Sequence, residues 1–189
     1  MRIGVFGGTF DPPHVGHLLA ASDALEALAL DRVVWVPTAT QPFKREADSS
    51  PADHRLAMVR LVVGSDPRFG VDPIEIQRAG LSYTVDTLVA LRAGAPDATF
   101  VLLVGADAAA AVHLWKEPDR VQALAELAVL RRGDQQFEFP PGIVGTVLTT
   151  RRIDVSATEI RARVRRGAAI HGFVSESVAA YIARAGLYR

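Results

Sequence analysis

The sequence predicts a single α/β domain in which helices cover both faces of a doubly wound, mainly parallel sheet. One observation is the order strand, helix, strand at the start of the chain. Residues 2–6 and 32–36 are short apolar runs, and the apolar residues of 18–29 fall on one helical face. This order implies a right-handed crossover and two parallel strands. A second observation is the apolar run 99–104, which is typical of a central buried strand.

The remaining elements follow from local patterns of the same kind. Short strands are predicted at residues 69–71, 74–76, 127–130 and 145–150. Helices are predicted for residues 51–63, after Ser82, from Ser156, and from Ser175 to a stop at Gly186 with the apolar stripe Val178, Ile182 and Ala185. Residues 156–189 therefore form a helical C-terminal part of a domain that spans residues 1–189.

Composition narrows the class of protein. The 189 residues are 49% hydrophobic and 22% charged, as in ordinary globular domains, and the formal net charge is zero. A neutral chain argues against a dedicated nucleic-acid or anionic-membrane surface. Cysteine is absent, so disulfides and thiolate catalysis are excluded. Polar residues interrupt the N-terminus before a signal-peptide core could form, and no run is long enough to span a membrane. The cytoplasm is the expected compartment, and a homo-oligomer is compatible with all of this.

The turn after the first strand is the segment that the chain is organised around. Gly7 and Gly8 allow a ligand to approach the backbone closely, because they have no Cβ. The helix that follows begins with free N–H groups and the positive end of its dipole, which favours an anion such as phosphate. His14 and His17 stand three residues apart at that beginning, close enough to face one ligand.

Two other interpretations of the histidine pair stay open at this point. His-x-x-His can bind zinc, although there is no cysteine and the other histidines show no ligand spacing to the pair. The pair could also be two half-exposed histidines at an ordinary helix start. The turn lacks both the Gly-x-Gly-x-x-Gly and the Gly-x-x-x-x-Gly-Lys-Ser/Thr patterns, so those two phosphate-binding loops are excluded.

Further polar residues follow other predicted strands, where open α/β sheets bind ligands. Asp107, after Gly105, could accept ribose hydroxyl hydrogen bonds or cap the next helix. Ser82 is expected to cap a helix that leaves the N–H groups of Tyr83 and Thr84 free for a carboxylate. These positions are also compatible with plain helix caps.

A second anion site is predicted near the C-terminus. Ser156 and Glu159 form a capping-box pattern, which places a helix start at Ser156. That start would present backbone N–H groups, the hydroxyls of Ser156 and Thr158, and the cation of Arg161.

These segments together resemble a known family. Gly7-x-Thr9-Phe10-Asp11-Pro12-x-His14-x-Gly16-His17 is similar to the signature of the adenylyl- and cytidylyltransferase superfamily, and the version here is closest to bacterial nicotinate mononucleotide adenylyltransferases. Residues 82–88 (Ser-Tyr-Thr-Val-Asp-Thr-Leu) and 154–161 resemble later motifs of the same enzymes. The resemblance covers essentially the whole chain and implies a Rossmann-like fold.

The resemblance also implies roles for individual residues, with His14, His17 and Arg161 as the catalytic ones. ATP would be bound by residues of four segments: Gly7, Gly8, Thr9, Phe10, His14, His17, Gly105, Asp107, Ser156, Thr158 and Arg161. Nicotinate mononucleotide would be bound by Lys44, Tyr83, Thr84, Trp115 and Arg131. Mg²⁺ would arrive with ATP, and no protein-held metal is expected. Two positions depart from the pattern: Ala157 replaces a serine, and Arg132 replaces the proline of Arg-Pro-Gly.

The resemblance implies transfer of the adenylyl group of ATP to nicotinate mononucleotide, a reaction in which the acceptor phosphate supplies its own nucleophile. No activated serine or cysteine nucleophile is visible in the sequence. One alternative is a phosphopantetheine adenylyltransferase, which shares the first and last motifs but is disfavoured by residues 82–88 and by the Trp115 segment. Another is a nucleotide-binding regulatory module without catalysis, for which Ala157 and Arg132 are the only hints.

Overall fold

A computed structural model describes residues 1–40 and 49–189. In this part of the chain six strands form one parallel sheet in the order β3-β2-β1-β4-β5-β6, with every pairing parallel. The strands are β1 (Arg2–Gly8), β2 (Arg32–Pro37), β3 (Phe69–Val71), β4 (Thr99–Gly105), β5 (Glu126–Arg132) and β6 (Thr146–Thr150). The predicted doubly wound, Rossmann-like sheet is confirmed.

The strand order reverses between β1 and β4, which are neighbours in space but far apart in sequence. Strands β2 and β3 continue away from β1 on one side, whereas β5 and β6 continue away from β4 on the other. The loops that leave the carboxyl ends of β1 and β4 therefore diverge to opposite faces and open a crevice between them. Open α/β sheets bind ligands at this kind of switch point.

Eight α-helices cover the sheet in the described residues. They are α1 (Val15–Ala27), α2 (Ala52–Val63), α3 (Ile74–Arg78), α4 (Thr84–Gly94), α5 (Ala106–Ala110), α6 (Pro118–Leu124), α7 (Ala157–Arg165) and α8 (Glu176–Ala185). On one face, α1 and α2 bury Ala21, Leu25 and Val59 against the sheet. On the other, α4, α5 and α6 bury Leu88, Ala109 and Val121. Burial of such apolar side chains on both faces is the main source of the fold's stability.

The C-terminal helices form a smaller cluster beside the first face. Met58 of α2 packs with Ile160 of α7 and with Val178 and Ile182 of α8, all at most 2% exposed. This packing fixes the direction of α7, and with it the position of the helix start at Ser156. The predicted stripe on the last helix is right for Val178 and Ile182, but Ala185 is exposed.

Several element predictions need correction. Residues 74–76 are not a strand but the first turn of α3, because the Asp72 carboxylate accepts a hydrogen bond from the Ile74 N–H at 3.0 Å and nucleates a helix. Strand β5 is longer than predicted and includes Arg131 and Arg132, since pairing with β6 continues to the register Arg132–Thr150. None of the helices in residues 1–40 and 49–189 has the length and apolar character that a membrane span requires.

Candidate functional site

The beginnings of α1 and α7 meet at one cleft of about 550 Å³. From the first strand's turn it is lined by Thr9, Phe10, Asp11, His14 and His17, and from the C-terminal side by Val155, Ser156, Ala157, Thr158 and Arg161. Ser49 and Arg132 complete the lining. The two segments predicted to bind anions, about 150 residues apart in sequence, thus face the same space.

The hydrogen bonds around His17 determine which of its nitrogens carries the proton. The backbone N–H of His14 donates to Nδ1 of His17 at 3.2 Å, so Nδ1 is an acceptor. In a neutral imidazole the proton must then lie on Nε2, which becomes a donor. The ring is held between His14, stacked on it at 3.7 Å between centroids, and Phe10, edge-on at 5.1 Å. His17 is therefore a fixed hydrogen-bond donor in the cleft wall.

His14 is 3% exposed and lies over the first turn of α1. It fits there because of Gly16: a Cβ at this position would lie 3.1 Å from Nδ1 of His14, closer than such contacts usually come. Nδ1 itself is buried without a hydrogen-bond partner among the described residues. A buried polar atom without a partner is costly, and at the edge of a cleft it indicates where a ligand completes the set.

Burial lowers the pKa of both histidines, so both are neutral at pH 7. The pKa of His14 is lowered to about 4, by desolvation and then by the positive charge of Arg132. The pKa of His17 is lowered well below its usual range by desolvation, by His14 and by Arg132. An anion bound in the cleft would oppose the effect of Arg132 and favour the charged imidazole. The two histidines can therefore become positively charged when an anion binds in the cleft or when negative charge builds up on it.

The lowered pKa of His14 makes the stability of the free protein depend on pH. An unfolded histidine binds a proton near pH 6.5, whereas folded His14 binds one only near pH 4. The unfolded state holds more protons in this window, so the free energy of unfolding should fall as the pH is lowered from about 6.5 to about 4. Urea unfolding across that range, compared between the wild type and His14→Gln, checks this. An equally steep decline in the variant would contradict it.

The start of α7 is built as the sequence predicts. Ser156 is the N-cap, and its Oγ accepts a hydrogen bond from the Glu159 N–H at 3.1 Å. Arg161 donates to the backbone carbonyl of Asp11 at 2.8 Å and to the Thr158 hydroxyl at 3.3 Å. The guanidinium thus joins the two walls of the cleft and keeps N–H groups and positive charge beside it.

Phe10 and Thr9 shape the floor of the cleft. Phe10 adopts a positive φ of 50° and is 3% exposed, packed edge-on against Phe6 at 5.5 Å. It covers Gly8 so closely that a Cβ there would lie 2.9 Å from its ring. The Thr9 hydroxyl is buried with no hydrogen-bond partner among the described residues. Like Nδ1 of His14, it is a polar atom that a ligand in the cleft could satisfy.

The residues predicted to bind the mononucleotide lie on the opposite face of the sheet, except Lys44, which falls outside the described residues. Tyr83 and Trp115 pack, partly buried, against the core beneath α4, α5 and α6. Arg131 is also on that face, because side chains alternate along β5 and Val129 belongs to the same core. Arg131 donates to the Thr149 hydroxyl at 2.6 Å.

The predicted cap of α4 is wrong. The helix begins at Thr84 with Tyr83 as its N-cap, and Ser82 is 9% exposed, with its Oγ accepting a hydrogen bond from the Ala39 N–H at 3.1 Å. The reason is that the Ser82 N–H donates to the Thr40 carbonyl at 2.9 Å, which joins this segment to the end of β2. Ser82 therefore ties two loops together, and the N–H groups at the start of α4 remain the predicted carboxylate site.

Gly105 and Asp107 lie at the carboxyl end of β4, next to the switch point. Gly105 is the N-cap of α5, so the alternative in which Asp107 caps that helix is wrong. Both residues are exposed, and a Cβ on Gly105 would meet no atom within 4 Å. The Asp107 carboxylate accepts a hydrogen bond from Gln135 at 3.4 Å and otherwise faces outward.

Sequence reasoning missed the residues that hold the cleft together. Arg55 is 2% exposed on α2, and its guanidinium donates to the backbone carbonyls of Ser50, Thr9 and Ala39 at 3.0, 2.9 and 2.9 Å. Its one sequence signal is spacing, since it shares a helical face with the buried Met58 and Val59.

Asp11, which belongs to the first motif but had no predicted role of its own, is a second anchor of the cleft. It is 4% exposed, and its carboxylate accepts hydrogen bonds from the Ser50 N–H at 3.0 Å and from the Tyr188 hydroxyl. Burial, and then the Asp11 carboxylate, raise the pKa of Tyr188 above its usual range. No local pattern in the sequence indicates this pairing across 177 positions.

The donor set of the cleft does not resemble a metal site. No group of three or more His, Cys, Asp or Glu side chains among residues 1–40 and 49–189 could hold a metal ion. Among the described residues that line the cleft, Asp11 has the one carboxylate, which already accepts two hydrogen bonds. This donor set fits an anionic ligand that brings its own cation, because hard cations are bound through several oxygens.

Comparison with known proteins agrees with this arrangement. The cytidylyltransferase-like family matches residues 5–163. A curated protein named probable nicotinate-nucleotide adenylyltransferase from Gemmatimonas aurantiaca is 50% identical over 197 residues, which cover 100% of this chain and 93% of the relative. A protein of the same name from Thermus thermophilus is 45% identical over 190 residues, covering 100% of both.

A solved structure shows the same fold. The structure described as Plasmodium falciparum nicotinic acid mononucleotide adenylyltransferase complexed with NaAD has a TM-score of 0.77 to this chain. The match covers 99% of this chain and 97% of that one at 18% sequence identity. At that identity the likeness concerns the fold.

Proposed function

Since this chain belongs to the cytidylyltransferase-like family, we propose that it transfers the adenylyl group of ATP to nicotinate mononucleotide, giving deamido-NAD and pyrophosphate. The curated relatives that match it over its whole length carry the name of this activity. The observation that carries the proposal is the convergence of the α1 and α7 beginnings on one cleft. Such a cleft suits a polyphosphate, which needs donors and positive charge on more than one side.

ATP would place its triphosphate in this cleft. The Nε2–H of His17 and the unpartnered Nδ1 of His14 would face the phosphates beside the backbone of Thr9 and Phe10. Ser156, Thr158 and Arg161 would hold the β- and γ-phosphates at the start of α7. Gly7 and Gly8, at the end of β1, and Gly105 and Asp107, at the end of β4, would contact the nucleoside across the switch point.

The mononucleotide would lie on the other face of the switch point. Its pyridine ring would stack on Trp115, and its carboxylate would accept hydrogen bonds from the N–H groups of Tyr83 and Thr84 at the start of α4. Arg131 and Lys44 would bind its phosphate. This arrangement would bring the phosphate of the mononucleotide to the gap between β1 and β4. It would approach from the side opposite the leaving pyrophosphate.

The chemical step then needs little from the protein beyond alignment. An oxygen of the mononucleotide phosphate attacks the α-phosphorus of ATP, and the bond from that phosphorus to the bridging oxygen breaks, so the electron pair leaves with pyrophosphate. His14 and His17 would stabilise charge at the α-phosphate, while Arg161 would stabilise charge on the leaving pyrophosphate. Mg²⁺ bound to the triphosphate would neutralise part of that charge.

One assay tests the proposal. The purified protein is incubated with ATP, Mg²⁺ and one acceptor at a time: nicotinate mononucleotide, nicotinamide mononucleotide or phosphopantetheine. Pyrophosphate release is followed, and the product is identified by mass spectrometry. We expect deamido-NAD with the first acceptor and a slower reaction with the second, whose uncharged amide gains less from the start of α4. A faster reaction with phosphopantetheine, giving dephospho-coenzyme A, would contradict the proposal. Nucleotide binding without pyrophosphate release with any of the three acceptors would also contradict it.

A further inference from the structure

Arg132 lies in the histidine cleft although the pattern this segment resembles has proline there. It is the last residue of β5 and is held by pairing with Thr150. Side chains alternate along a strand, and Leu130 belongs to the core beneath α1, so Arg132 points to the α1 face and Arg131 to the other. Arg132 accordingly lines the cleft with His14, His17 and Arg161.

The Arg132 guanidinium is a cation without a partner in the described part of the chain. Its neighbours are engaged: Arg131 with Thr149, Arg151 with Asp23, and Arg152 with Asp154. The Arg132 side chain is exposed and forms no hydrogen bond or ion pair with a described residue. Arg132 and Arg161 both line the cleft, so two guanidinium groups share one space. Two like charges in one space repel each other, and a bound anion removes that cost.

The positive charge of Arg132 acts on the two histidines of the cleft. It contributes to lowering the pKa of both histidines, after desolvation. In residues 1–40 and 49–189, the other charged groups that line this cleft are Asp11 and Arg161. The Asp11 carboxylate accepts hydrogen bonds from Ser50 and Tyr188, and Arg161 donates to Asp11 and Thr158. Arg132 alone among these three charged groups has its charged end free to meet a ligand.

We infer that Arg132 is an additional phosphate-binding residue, which binds the triphosphate from the end of β5 together with α7 and Arg161. The inference rests on the proposed function for the identity of the anion. A guanidinium presents paired N–H donors that match two phosphate oxygens, which lysine does not. These donors also compensate for Ala157 in the same cleft, whose methyl side chain has no hydroxyl to offer a phosphate.

Arg132→Ala tests the inference, with Arg132→Lys as the conservative variant and Arg166→Ala as the matched control. Arg166 is exposed at the far end of α7 and does not line the cleft. Calorimetry with Mg²⁺ and a non-hydrolysable ATP analogue should show binding weakened about tenfold in Arg132→Ala, less in Arg132→Lys and unchanged in the control. The KM for ATP should rise by a similar factor, while that for nicotinate mononucleotide stays constant.

A pH profile separates phosphate binding from a merely structural role. Without the positive charge of Arg132 the imidazoles should protonate at higher pH, so the pH at which His14 titrates, followed by NMR, should move upward in Arg132→Ala. Analogue affinity and pH profile both equal to wild type would overturn the inference, as would a loss confined to the KM of the mononucleotide. A wild type that binds the analogue but makes no deamido-NAD would contradict the proposed function alone.

Discussion

Replacing His17 with alanine should lower kcat by about a hundred- to a thousandfold while the protein stays folded, because it removes one preorganised donor from a developing charge. The Nε2–H of His17 is fixed by the His14 N–H on the other ring nitrogen and by the rings of His14 and Phe10. Such a donor costs no reorganisation when the α-phosphate gains charge. Steady-state kinetics with ATP and nicotinate mononucleotide, with circular dichroism to verify folding, check this expectation.

Two further variants sharpen this prediction. His17→Gln keeps an amide donor near the same position and should recover part of the lost rate. His171→Ala removes an exposed histidine that does not line the cleft and should leave kcat unchanged. A folded His17→Ala enzyme with wild-type kcat would show that this imidazole does not stabilise the reaction.

Replacing Arg55 with methionine should lower both stability and activity, although Arg55 does not line the cleft. The variant leaves the carbonyls of Thr9, Ala39 and Ser50 without their charged donor. Each buried carbonyl left without a donor typically costs about 1–3 kcal/mol in the free energy of unfolding. Thr9 would no longer be held at its place in the cleft, so kcat/KM for ATP should fall by about tenfold or more. Urea unfolding and steady-state kinetics measure the two effects.

The control for Arg55 lies on the same helix. Arg60 is exposed on α2, and Arg60→Ala should change the free energy of unfolding by less than about 0.5 kcal/mol and leave kinetics unchanged. Arg55→Lys should recover little, because an ammonium group cannot match three carbonyls arranged around a planar fork. If Arg55→Met unfolds at the same urea concentration as wild type, the three hydrogen bonds do not support the loops as argued.

The sequence was informative wherever the determinants are local. The apolar runs of β1, β2 and β4 are continuous because parallel strands are covered on both faces, so their order predicted the doubly wound sheet. The cap at Ser156 was also predictable, because the capping-box pattern consists only of Ser156 and Glu159, three positions apart. Both helix starts could therefore be located before their convergence was known.

What the sequence could not show depends on contacts between distant segments. In the sequence Arg55 cannot be distinguished from other arginines on helices, because its role depends on the backbone carbonyls of Thr9, Ala39 and Ser50 around it. Ser82 has the residue type and position of a cap, but pairing with Thr40 draws it away from α4. The side chains of Arg131 and Arg132 point to opposite faces of the sheet because β5 extends through both residues. The sequence predicted a strand that ends at residue 130, so it did not indicate this alternation.

A crystal structure with Mg²⁺ and a non-hydrolysable ATP analogue tests most directly whether one triphosphate is bound by both helix beginnings. The predicted result places phosphate oxygens within hydrogen-bond distance of Nε2 of His17 on one side and of the Arg161 guanidinium and the Ser156 end of α7 on the other. A nucleotide whose phosphates contact neither His17 nor Arg161, or only one of the two helix beginnings, would contradict it.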